Sequence, residues 1–275
     1  MRFNPLLTAA FLLLFSAGAF PCSVFYYRAG GGAYAAKSFD FETPVESFIV
    51  KEPAGLGRTA QSGASWTSKY ASATVRLRGA TAQLPGCGIN EAGLVCEAPV
   101  LGFSLQQQEG AKIALNELEF IQYQLDNSAT VADVARNAAA FRITQRFAPL
   151  HYMCCDADSC VSLELSGDGL KATPMPVPVL TNVSYPAAAG RLKEYAGFGG
   201  SKPVPEGFGT FQRFVRAATF TRYDPAFPPL DFGLRGLDSL FSDGFTRWQV
   251  IYDISGRRLY LRRGKNSISE TVSLN

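Results

Sequence analysis

Residues 19–41 read AFPCSVFYYRAGGGAYAAKSFDF. Two aromatic and small-residue runs, Ser23 to Tyr27 and Tyr34 to Phe39, flank Gly30-Gly31-Gly32, the pattern of two antiparallel strands joined by a tight glycine turn. Cys22 stands immediately before the first strand. If processing exposes it, one residue carries a thiol and a free α-amino group. Their reference pKa values, about 8.5 for the thiol and about 7.7–8.0 for the amine, let a proton pass between them at little cost near neutral pH. Such a residue is nucleophile and base together and needs no imidazole. The chain has a single histidine, His151, in an apolar strand-like stretch, which reads as a core or edge residue rather than a catalytic one.

The processing expectation rests on residues 1–21. Arg2 supplies a basic start, Leu6 to Phe15 an apolar run too short to span a bilayer, and Ser16-Ala17-Gly18-Ala19 the small residues of a cleavage site. Residues 1–21 therefore read as a signal peptide and 22–275 as a single domain, placing the protein in the periplasm or outside the cell. Cleavage after Ala19 leaves Phe20-Pro21 for a second trimming step. A lipid-anchored cysteine is the rival reading, against which Pro21 stands where lipidation prefers a small residue.

The chain is 47% apolar and 18% charged, enough to build a large core and too apolar for a disordered protein. Its net charge of +3 comes from scattered basic residues, with no phosphate-tracking stripe, which argues against nucleic acid as a partner. Neither a metal nor another cofactor is expected, and a homo-oligomer is left open. Of the six cysteines, the pairs nearest in sequence are Cys87 with Cys96 across a turn, and Cys160 with Cys154 or Cys155.

Further strands are predicted at Ser47 to Lys51, Thr74 to Leu77, Val161 to Leu165, Trp248 to Asp253 and Arg258 to Leu261. Leu115, Leu118, Ile121 and Leu125 recur at helical spacing, Thr130 caps a second helix, and further helices are predicted at Arg191 to Tyr195 and Phe211 to Ala218. The stretches from Phe198 to Gly209 and Asp224 to Leu230, rich in Gly or Pro, read as surface excursions. Strands at both ends with helices between define an α+β protein of packed layers.

Motifs in order along the chain carry a resemblance: Cys22-Ser23, Lys37-Ser38-Phe39-Asp40-Phe41, Trp66-Thr67-Ser68-Lys69-Tyr70, Gly88-Ile89-Asn90-Glu91-Ala92-Gly93-Leu94, Leu180-Thr181-Asn182, Arg213-Phe214-Val215-Arg216-Ala217 and the closing hairpin from Trp248 to Tyr260. The chain resembles the choloylglycine hydrolase family, the N-terminal-nucleophile amidases that include conjugated bile salt hydrolases and penicillin V acylases. That resemblance implies a four-layer αββα sandwich of two antiparallel sheets. It also implies roles: Cys22 as nucleophile, Asp40 orienting its amine, Asn182 donating to the oxyanion and Arg213 stabilising charge near the thiolate. Asn90 and Gly93 read instead as a structural turn.

Two positions depart from the family pattern. Lys37 stands where an arginine is usual, and a compact ammonium cannot reproduce a guanidinium's forked contacts. The second oxyanion donor, an Asn or Tyr in the family, aligns near Val100, which offers only its backbone amide. Lys37, Phe39, Phe41 and Val100 are the expected substrate-binding residues, with the aromatic rings forming an apolar acyl pocket. The expected function is an exported cysteine amidase hydrolysing a linear carbon–nitrogen bond of a small N-acyl substrate such as penicillin V, an acyl-homoserine lactone or a conjugated bile salt. The alternatives are a lipid-anchored or soluble periplasmic binding protein without catalysis, and a peptide-directed amidase or acyltransferase of the same fold.

Overall fold

The structure is a computed structural model and describes residues 21–79, 81–101, 113–167, 169–223, 227–265 and 267–275. Of the expected signal segment, residues 1–21, only Pro21 is among them. The first strands are β1 (Ser23–Ala29), β2 (Gly32–Asp40), β3 (Ser47–Glu52), β4 (Gly57–Thr59), β5 (Ser65–Thr67), β6 (Ser72–Leu77), β7 (Cys87–Asn90), β8 (Val95–Glu97) and β9 (Ile113–Leu115). Helices α1 (Glu117–Asn127) and α2 (Val131–Ala138) follow, then β10 (Phe141–Ile143), β11 (Tyr152–Cys155), β12 (Cys160–Ser166), β13 (Gly169–Pro174) and β14 (Val179–Leu180). The chain ends with α3 (Tyr185–Leu192), α4 (Thr210–Phe220), α5 (Pro229–Ser239), β15 (Thr246–Asp253), β16 (Arg258–Arg262) and β17 (Ile268–Ser273).

Two antiparallel sheets organise these elements. Among the described residues one runs β14-β1-β2-β15-β16-β17 and the other β13-β12-β11-β8-β7-β6-β3. The glycine turn between β1 and β2 forms as the sequence predicts, with Gly30 at φ 55° and Gly31 at φ 78°, values that residues with a Cβ adopt only at a cost. Apolar side chains of both sheets meet in one core, where Val24, Ala35 and Val250 join Val75, Ile89 and Met153. Helices α4 and α5 cover the first sheet, while α1 and α2 cover the second, whose outer core includes Leu94, Phe120 and Tyr152. The architecture is α+β, with the layers in the order helix, sheet, sheet, helix.

Local chemistry sets the helix starts. Asn116 Oδ1 accepts from the Leu118 and Glu119 amides at 2.9 Å while Glu119 caps the Asn116 amide in return, and Thr130 with Asp133 repeats the device at α2. The helix expected over Arg191 to Tyr195 instead runs over Tyr185–Leu192, because Pro186, at the start of the helix, is preorganised for its first turn. The expected excursion from Asp224 to Leu230 gives way at Pro229 to α5, again opened by proline. Residues 224–226 lie outside the described residues.

The cysteine pairing is corrected in one place. Cys155 and Cys160 face each other across the β11–β12 hairpin and form a disulfide. Cys87 and Cys96 do not pair. In the β7–β8 ladder Gly88 is opposite Cys96, so the alternation of a strand sends Cys87 and Cys96 to opposite faces of the sheet. Cys87 enters the core between the sheets and Cys96 the core beneath α1, where its sulfur lies 2.9 Å from that of Cys154 on β11.

Candidate active site

The β1–β2 register builds the site. Ser23 pairs with Ser38 and Val24 with Lys37, and the same register continued by one step sets Cys22 opposite Phe39. Alternation then places Cys22, Lys37 and Phe39 toward the inter-sheet side, with Ser38 and Asp40 toward the helices. The Cys22 sulfur lies 4.0 Å from the Asp40 carbonyl oxygen. Burial pushes the thiol pKa up, while Lys37 and Arg213 pull it back down.

Asp40 is fully buried. Its Oδ1 accepts from Ser38 Oγ at 2.8 Å, whereas Oδ2 has no hydrogen-bond partner. Burial raises the pKa of this carboxyl, and the nearby Thr246 and Ser38 hydroxyls and the charge of Arg213 oppose the rise. An unsatisfied buried carboxylate oxygen is costly and calls for an explanation.

Arg213 reaches the nucleophile from α4. Its Nη1 is 2.6 Å from the carbonyl oxygens of Pro21 and Cys22 and from Ser23 Oγ, and its Nε donates to the Phe208 carbonyl at 3.0 Å. Nη2 donates to Asn182 Oδ1 at 3.0 Å. Burial lowers the guanidinium pKa to about 10, opposed by Asp40 and Cys22. Asn182 Nδ2 in turn donates to the Val100 carbonyl at 2.8 Å. The structure thus links Cys22, Arg213, Asn182 and Val100 in one chain of contacts, with Asp40 beside it.

Val100 forms a bridge with Leu150, flanked by hydrogen bonds from Leu101 N to the Pro149 carbonyl and from His151 N to the Pro99 carbonyl. Those bonds make Val100 and Leu150 a non-hydrogen-bonded pair. The N–H and C=O of Val100 therefore both point away from Leu150, to the side where Asn182 reaches the carbonyl. His151 is buried, with Nε2 2.7 Å from the Thr181 carbonyl and Nδ1 3.4 Å from Glu164. It braces the residue preceding Asn182.

Beside Cys22 opens a cavity of about 230 Å³ whose walls include Lys37, Phe39, Phe41, Val100, Leu118 and Trp248. All four expected substrate-binding residues line it. Phe39 stacks on Trp248, ring centres 4.6 Å apart and planes within 5°, an arrangement worth about 0.5–1.5 kcal/mol beyond its buried area. Glu117 also borders the cavity, but its carboxylate accepts from the backbone amides of Arg146, Phe147 and Ala148. The wall is therefore chiefly apolar.

Sequence reasoning did not reach Glu97 or Tyr252. Lys37 Nζ lies 2.6 Å from Glu97 Oε2, both side chains buried, and the Tyr252 hydroxyl donates to Glu97 Oε1 at 2.6 Å. Glu97 comes from the other sheet. A charged residue three positions past Leu94 in an otherwise apolar run was the one available signal.

This layered fold, with Cys22 at the entry to β1, is consistent with an N-terminal-nucleophile hydrolase, and the family description "linear amide C–N hydrolases, choloylglycine hydrolase family" matches residues 22–225, beginning at Cys22. The chain belongs to the choloylglycine hydrolase family and is a linear amide C–N hydrolase. This displaces the expected alternative of a binding protein without catalysis. Among solved structures, a mutant of the conjugated bile acid hydrolase from Clostridium perfringens is 16% identical with a TM-score of 0.79, covering 92% of each chain. The penicillin V acylase from Agrobacterium tumefaciens is 21% identical with a TM-score of 0.74, over 88% of this chain and 83% of that one. At such identities the likeness is one of fold. No curated protein sequence matches the chain.

Proposed function

We propose that the protein is an exported cysteine amidase that cleaves the amide of a small N-acyl compound through a thioester on Cys22. The observation that carries this reading is Cys22 at the entry to β1 with the buried Asp40 carboxyl, one of its oxygens unpartnered, close enough to act on it electrostatically: a mature chain beginning at Cys22 would bring a charged amine near that carboxyl. Among the described residues no helix is long and apolar enough to cross a membrane.

The steps follow from the contacts. Cys22 Sγ attacks the substrate carbonyl carbon as the thiol proton moves to the Cys22 amine. Asn182 keeps one Nδ2 hydrogen beyond the one given to the Val100 carbonyl, and with the Val100 N–H it forms a two-donor site for the oxyanion. Valine at this position then costs nothing, since the backbone donates. The Cys22 ammonium returns the proton to the leaving amine, the carbon–nitrogen bond breaks, and a thioester remains. Water, deprotonated by the same amine, attacks the thioester and releases the acid and the thiol. In the mature chain Arg213 holds the Cys22 carbonyl and orients Asn182.

Ligand pockets commonly span about 300–1,000 Å³, so a cavity of about 230 Å³ lined by Phe39, Phe41 and Trp248 favours a compact aromatic or short aliphatic acyl group. Penicillin V, with its phenoxyacetyl group, fits that description better than a steroid. Turnover should be measured on a panel of penicillin V, acyl-homoserine lactones, a glycine-conjugated bile salt and dipeptides. Preferred cleavage of the phenoxyacetyl amide is expected, and loss of all turnover in Cys22→Ser. Exclusive cleavage of dipeptides would favour a peptide-directed enzyme, and full activity in Cys22→Ser would end the thioester mechanism.

A further inference from the structure

We propose that Glu97 is a positioning residue of this amidase, which holds the Lys37 ammonium in its charged form on the pocket wall it shares with Cys22. The proposal rests on the reading of Cys22 as the nucleophile. Lys37 and Phe39 lie on one face of β2, and Cys22 sits opposite Phe39, so Lys37 is a diagonal cross-strand neighbour of the sulfur. The ammonium is 2% exposed. It lies 2.6 Å from Glu97 Oε2, and 5.6 Å and 6.0 Å from the ring centres of Trp248 and Phe39.

A buried ammonium in such surroundings survives only with an anionic partner. Glu97 is that partner, and it arrives from β8 of the opposite sheet rather than from the strand of the nucleophile. Tyr252 of β15 fixes it from a third strand by donating to Oε1. The charged and titratable groups facing this cluster are few: Cys22 and Cys87 beside Lys37, Cys87 and Tyr252 beside Glu97, and Asp40 and Arg213 beside Cys22. Burial, the largest influence, alone would lower the Lys37 pKa, but Glu97, joined by Cys87 and Cys22, holds it above the ordinary value. Lys37 is in turn the strongest of the charges that favour the Cys22 thiolate. Without Glu97 the ammonium has no carboxylate partner, burial is opposed only by Cys87 and Cys22, and the charge that supports the thiolate is weakened. An arginine could not lose its proton so readily; a lysine here needs its glutamate.

The test reads the thiol directly and needs no substrate. Mature wild-type protein, Glu97→Gln, Lys37→Met and the double variant are treated with iodoacetamide across a pH series, and carbamidomethylation of Cys22 is followed by peptide mass. One pKa unit is a tenfold change in thiolate, so Glu97→Gln is expected to slow alkylation of Cys22 at neutral pH about tenfold and shift its profile to higher pH. Lys37→Met should do the same, and the double variant should be no slower than Lys37→Met alone. Alkylation that is unchanged or faster in Glu97→Gln, or losses that add in the double variant, would overturn the proposal. Should Glu97→Gln not fold, Tyr252→Phe carries the test: a smaller slowing in the same direction supports it, and a wild-type profile sinks it. Because turnover is not measured, a wrong substrate assignment leaves these outcomes intact.

Discussion

Two asparagines in family-like motifs, Asn90 and Asn182, carry the same amide and do different work. Asn90 is fully buried at the end of β7: its Nδ2 donates to the Leu125 and Ser128 carbonyls at 2.8 Å each, and its Oδ1 accepts from Leu94 N at 2.9 Å. Both donor hydrogens are committed. Those bonds tie the β7–β8 turn, with Gly93 at φ 92°, to the end of α1. Asn182 is only part-buried, gives one hydrogen to the Val100 carbonyl, receives Arg213, and keeps a second hydrogen uncommitted at the edge of the site. The contrast shows how to separate polar groups that hold the fold from those reserved for a ligand: count what remains after the protein's own demands are met.

The comparison can be tested from its most sensitive point outward. Cys22→Ala should reduce turnover by about 10⁴ or more, as removal of a catalytic nucleophile does, with little change in melting temperature; residual activity near wild type would show that the site is elsewhere. Asn182→Ala should lower kcat by about 10²–10³, the cost of one oxyanion donor, while the purified variant unfolds near the wild-type denaturant midpoint. Asn90→Ala should show the reverse. Each buried group left unpaired costs about 1–3 kcal/mol, so a stability loss of roughly 3 kcal/mol or more is expected in urea titrations, with kcat per folded molecule retained.

A smaller effect is expected at the β11–β12 hairpin. Replacing Cys155 and Cys160 by serine removes a short loop closure worth about 2 kcal/mol, visible in melting temperature and not in kcat. Val100→Ala should change kcat by no more than a few-fold, since the donor is backbone. A loss as large as that of Asn182→Ala would mean that the valine side chain, rather than its amide, shapes the site.

Much of this was legible in the sequence because it is local. The β1–β2 hairpin follows from alternation and three glycines, the α2 cap from Thr130 and Asp133, and the placement of Asp40 near Cys22 from the hairpin itself. The layered arrangement and the approach of Asn182 and Arg213 came through resemblance, since no periodicity tells which helix meets which strand end. What escaped were contacts made across the sheets. Glu97 meets Lys37 only because β8 packs over β2, and Cys96 meets Cys154 only because β8 pairs with β11. The disulfide reading of Cys87 with Cys96 failed for a related reason: closeness in sequence says nothing about which face of a strand a thiol occupies.

Catalysis is assigned to Cys22 as a mature N-terminal residue. The most direct test of this assignment is the mass of the N-terminal peptide of the active enzyme, purified from exporting cells. The expected peptide begins at Cys22 with a free α-amine and an unmodified thiol. Active enzyme that retains Phe20 and Pro21, or whose Cys22 amine is acylated, would contradict it.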